Sequence, residues 1–67
     1  MILIWRVERR TAGPQGDYFI RRTGRRPWLR TVDNPPPFDG PEACFEVEEL
    51  PGRPVRFIRK VERPPWL

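Results

Sequence analysis

Residues 17–30 read DYFIRRTGRRPWLR, and this stretch decides how the rest of the chain is taken. Tyr18 to Thr23 and Trp28 to Val32 are short runs rich in aromatic and β-branched residues, which fit a pleated, half-buried surface. Between them stands Thr23-Gly24-Arg25-Arg26-Pro27, whose glycine and proline punctuate the chain. The pattern predicts a β-hairpin with its turn at 23–27. Five of its residues are arginine, and no acid follows Asp17 until Asp33. The hairpin is therefore expected to carry a basic and aromatic face made of Tyr18, Arg21, Arg22, Arg25, Arg26, Trp28 and Arg30.

Toward the start of the chain, residues 2–10 (ILIWRVERR) read as a first strand. Alternation puts Leu3, Trp5 and Val7 on one face and Ile2, Ile4, Arg6, Glu8 and Arg10 on the other. The second face is also apolar at first, so the strand should lie centrally and emerge toward Arg9 and Arg10. Residues 11–17 form a loop, and the short connections favour an antiparallel meander of these three strands. Toward the end, residues 33–41 hold three successive prolines, which impose an extended path without backbone donors. This segment is expected to carry the chain across the fold, with Phe38 pinning it to the core.

Residues 42–50 (EACFEVEEL) fit two descriptions. Ala43, Phe45 and Val47 alternate with Cys44, Glu46 and Glu48, as in a strand. Ala43, Cys44, Val47 and Leu50 also share a helical stripe, and a short helix at 41–50 stays open. The next run, 55–62, is strand-like after a compact Pro51-Gly52-Arg53-Pro54 turn. A hairpin would set the glutamates against Arg56, Arg59 and Lys60, a favourable cross-strand arrangement that favours the strand. Trp66 and Leu67 have two readings, a lid packed on the sheet or an exposed anchor. The lid is favoured because the core is short of apolar area. The expected fold class is mostly β: one small domain over 1–67, an antiparallel sheet of four to five strands with a Pro-rich crossing at 33–41.

A chain of 67 residues buries only about 60% of the surface that its unfolded form exposes. Bulky aromatics suit so small a core, because each covers much area. Charge is unevenly placed. Residues 1–34 hold eight arginines against three acids, whereas residues 35–67 hold five bases against six acids. Lys60 is the one lysine among thirteen bases; arginine offers a planar fork to phosphate or carboxylate. G+C-rich coding would produce the same bias. Cys44 is the single cysteine, which excludes an internal disulfide and suits a reducing setting. The apolar start, Met1 to Trp5, is too short for a signal peptide or membrane span. A cytoplasmic location, without membrane association, is expected.

The chain has no histidine and no serine, so the usual nucleophile–base pairs cannot be assembled. Glu42 and Glu46 flank Cys44 and would raise its thiol pKa. A soft-metal site lacks ligands, and Asp33, Asp39 and Glu42 lack the spacing of a calcium loop. No glycine-rich phosphate loop opens a helix. An enzyme is not expected, nor is a cofactor or a bound metal.

Binding is the expected role. Arginines interleaved with aromatics suit a nucleic-acid backbone with stacked bases. The same residue types dominate protein-binding hot spots. In size and character this 67-residue Arg/Pro-rich chain, opening at Met1 and without catalytic residues, resembles the small accessory proteins of phages and prophages. Anti-CRISPR and other anti-defence inhibitors are among them. The resemblance covers no motif and transfers no residue. It implies a stoichiometric inhibitor, working in the host cytoplasm, that covers an acidic protein surface or a nucleoprotein complex. A small DNA- or RNA-binding module is the alternative. Monomer and homodimer both remain open.

Overall fold

A computed structural model describes residues 1–11, 13–23 and 26–67, with side chains described outside positions 15, 23 and 26–29. Among the described residues there are five strands, β1 (Ile2–Thr11), β2 (Asp17–Thr23), β3 (Arg26–Thr31), β4 (Glu42–Glu48) and β5 (Arg56–Val61), with a 3-10 turn at Gly13–Gln15. They form one open antiparallel sheet in the order β3-β2-β1-β4-β5. The mostly β, single-domain expectation holds.

β1 is the central strand because both of its edges are used. Its first part pairs with β4, from Ile2↔Glu48 to Glu8↔Glu42. Its second part pairs with β2, from Arg6↔Arg22 to Thr11↔Asp17. Alternation sends Trp5 and Val7 to one face, where Ala43, Phe45 and Val47 lie opposite them or one pair further along. Val7 and Val47 are fully buried there. Trp5, Phe45 and Phe57 meet edge to face, with centroids 5.9 Å apart for Trp5–Phe57 and 5.5 Å for Phe45–Phe57. Such pairs add to the value of the buried area.

The strand order forces a crossing. β3 is at one edge and β4 lies beyond β1, so residues 32–41 must traverse the core face. Val32 begins the crossing, its N–H donating to the Phe19 carbonyl at 2.8 Å. Phe38 then seats between Phe19 and Phe45, with centroids 5.8 and 6.0 Å away. Prolines bring no donors, so β1 supplies them: Arg9 donates its backbone N–H to Pro41 O at 2.8 Å and its Nη2 to Phe38 O at 2.6 Å. The same guanidinium lies 5.0 Å from the centroid of Phe38. Gly40 turns the chain into β4 at φ +78°, a conformation that L side chains resist.

Residues 42–48 are a strand, and the helix considered for 41–50 does not form. β4 is hydrogen-bonded on both sides, so alternation of Ala43, Phe45 and Val47 outweighs the helical stripe. The first hairpin differs in its boundaries. β3 starts at Arg26, which pairs with Thr23, and so it runs through Pro27. An edge strand tolerates proline, because one side of its ladder is unused. The register shifts between Arg21 and Thr23. Gly24 and Arg25 lie outside the described residues.

Candidate binding face

The pleat separates the neighbouring arginines of β2. Arg21 is opposite Val7 and joins the core face. Its Cζ sits 4.2 Å from the centroid of Trp5, and its Nη1 meets Glu49 Oε1 at 3.1 Å. Arg22 is opposite Arg6 and points to the other face. Tyr18 joins that second face opposite Arg10, and both are exposed. Arg30 is exposed and lies opposite Arg21. Arg25, and the side chains of Arg26 and Trp28, lie outside the described residues. The structure therefore brings Tyr18 and Arg22 together on one face and sets Arg21 and Arg30 on the other.

Glu8 is the hub of the second face. Arg6 and Arg10 flank it two residues away on β1, and Arg22 faces it diagonally from β2. Arg6 Nη2 reaches Oε1 at 2.9 Å, Arg10 Nη2 reaches Oε2 at 2.6 Å, and Arg22 Nε donates to Oε1. Burial alone would raise the Glu8 pKa. The hydrogen bonds from Arg22, Arg6 and Arg10 outweigh it and hold the carboxyl below its ordinary value of 4.5. Arg6 also faces Glu42 through Nε at 3.4 Å, an ion contact without hydrogen-bond alignment, and Arg63 meets Glu42 at 3.3 Å. Four guanidiniums thus surround two carboxylates, a surplus of two positive charges. The side chains of Arg10 and Arg63 remain 45% and 53% exposed.

This face continues over β4 and β5. Glu48 pairs with Arg56 at 3.1 Å and Glu46 with Arg59 at 3.3 Å, as the hairpin reading expected. Lys60 falls opposite Phe45 instead, because the register shift between Glu46 and Val47 moves it to the core side. Among the described residues, Arg9, Arg30, Arg53 and Lys60 make no ion pair.

The closing segment lies across the same face. Arg6 Nη1 donates to the Leu67 backbone oxygen at 2.8 Å, and Leu67 N–H donates to Pro64 O at 3.1 Å. Leu67 is buried at 8% exposure, while Trp66 is 63% exposed. The two readings of this dipeptide are divided between its residues: Leu67 packs and Trp66 stands out.

Cys44 is buried opposite Arg6. Burial pushes its thiol pKa up, Glu42 adds to the rise, and Arg63 and Arg6 oppose it. The group is a protonated packing residue at neutral pH. Among the described residues, no three His, Cys, Asp or Glu side chains converge as metal ligands. No described helix is long and apolar enough to cross a membrane.

The Glu8 hub was readable from the alternation of Arg6, Glu8 and Arg10 on one strand face. Its link to Arg22 required the β1–β2 register. Compared with known proteins, the chain matches no family model, no curated protein and no solved structure.

Proposed function

We propose that this chain is a non-catalytic binding protein, a phage-type stoichiometric inhibitor in kind, that docks its basic face on an acidic protein surface. The observation that supports this reading is the convergence of Arg6, Arg10 and Arg22 on the single carboxylate of Glu8. One carboxylate orders three guanidiniums but neutralises only one. The pre-ordered surplus suits bidentate contact with carboxylates at small entropic cost. Tyr18 and Arg10 extend the face on one side, and the hairpin arginines Arg25, Arg26 and Arg30 add charge to the same β2–β3 unit.

A nucleic-acid module is the second reading, favoured by the exposed Tyr18 beside Arg10. Stacking along a strand needs several open rings. Phe19 packs toward the core and Trp5 lies beneath Arg21, so Tyr18 is the single open ring in the described part of β1 and β2. The test is an anisotropy titration against DNA and RNA oligonucleotides at low and physiological salt. Binding confined to low salt is expected, since phosphate contacts weaken steeply with ionic strength. Tight binding that persists at physiological salt would shift the assignment to nucleic acid.

A further inference from the structure

The binding face has an apolar partner that its charges do not account for. Trp66 is 63% exposed, and the structure holds it from both sides. Pro64 and Pro65 precede it, with φ fixed by their rings. Leu67 follows it and is buried, with its backbone oxygen on Arg6 and its N–H on Pro64 O. Arg63, at the start of the segment, is tied to Glu42. A large ring that is presented by a fastened backbone loses little freedom on contact.

We infer that Trp66 is a pre-positioned anchor, and that the partner is a protein surface presenting an apolar pocket rimmed by carboxylates. This inference rests on the proposed function and deepens it. Charge complementarity sets the partner's chemistry: counted by side chains, Arg6, Arg10, Arg22 and Arg63 exceed Glu8 and Glu42 by two on the face that the closing segment crosses. Tryptophan and arginine are the residue types on which protein interfaces concentrate their energy. These contacts fasten the backbone on either side of the ring, which stays largely exposed while Leu67 is covered.

The test uses the full chain and three probes: an oligoglutamate peptide, an equally acidic amphipathic helical peptide with leucines along one face, and oligothymidylate. Wild type, Trp66→Ala and Arg10→Gln/Arg22→Gln are compared by calorimetry at physiological salt, with circular dichroism to verify folding. Wild type is expected to prefer the leucine peptide over oligoglutamate by about tenfold or more. Trp66→Ala should erase that preference and keep the oligoglutamate affinity, because the exposed ring supports no core. The arginine variant should weaken both acidic probes. Equal wild-type affinity for the two peptides, or a preference that survives Trp66→Ala, would overturn the anchor alone. Failure of both acidic peptides to bind, or tighter binding of oligothymidylate, would overturn the basic-face reading together with it. A concentration-dependent dimer that Trp66→Ala dissolves would overturn the inference in favour of a second copy as occupant.

Discussion

Glu8 shows how one side chain sets the cost of a basic surface. β1 and β2 place Arg6 directly opposite Arg22, and like charges in such positions repel. Glu8, 13% exposed, lies between them and takes hydrogen bonds from both. Glu8→Gln should destabilise the fold by about 2 kcal/mol, because it leaves Arg10 and Arg22 without their counter-charge and Arg6 with Glu42 alone. Urea unfolding of the two proteins checks this. The depressed Glu8 pKa also fixes a sign. Its stabilisation is fully present above the ordinary value of 4.5 and is lost as pH falls through the lower folded value. The melting temperature should therefore drop below about pH 4.5, and Glu8→Gln should flatten part of that fall. A variant with an unchanged acid limb would remove Glu8 from the account. Cys44 supplies a second residue-scale outcome. With burial raising its thiol pKa, disulfide exchange with a bulky aromatic reagent should be at least about 100-fold slower in the native protein than in urea.

Among the elements, the crossing is the one whose loss should be felt most. Residues 32–41 have no ladder of their own and hold their place through Val32, Phe38 and the donors of Arg9. Phe38→Ala should cost about 2–3 kcal/mol, less than a fully enclosed phenylalanine because Phe38 is half-buried. Arg9→Ala should cost less, about 1–2 kcal/mol, because Phe38 O loses the guanidinium while the backbone N–H keeps its bond to Pro41 O. Thermal melts of both variants test the ranking, and a larger loss for Arg9→Ala would reverse it. The β4–β5 hairpin is different in kind. Its exposed Glu48–Arg56 and Glu46–Arg59 pairs each contribute at most about 1 kcal/mol. They serve more to mark register and to keep the β5 edge charged against strand addition.

At the scale of the whole molecule, one central strand joins two units, the β1–β2–β3 meander and the β4–β5 hairpin, over a shared core of Trp5, Val7, Val32, Ala43, Phe45 and Val47. Neither unit closes that core alone. Unfolding should accordingly be a single transition, with tryptophan fluorescence and far-ultraviolet circular dichroism giving coincident urea curves. Separate midpoints would show that the meander and the hairpin part independently.

The sequence by itself determined a mostly β chain of four to five strands, the core face of β1, the pinning role of Phe38 and the glutamate–arginine pairing of the last hairpin. These follow from local alternation, proline punctuation and the chemistry of neighbouring positions, all of which act over a few residues. That residues 42–48 are a strand and not a helix was decided by pairing on both sides. The first hairpin's turn was placed too broadly, because whether Pro27 is tolerated in a strand depends on that strand lying at an edge. The candidate face divided for a similar reason. Arg21 and Arg22 are adjacent in the chain, yet the pleat turns one over Trp5 and the other onto Glu8. Which arginine goes where is fixed only by the register of β2 on β1. Trp66 and Leu67 are separated in the same way: composition makes both apolar, and only the path of the closing segment over Arg6 buries one and leaves the other in water. Strand identity is local, whereas the partner of each charge depends on contacts between residues far apart in sequence, which exist once the sheet is assembled.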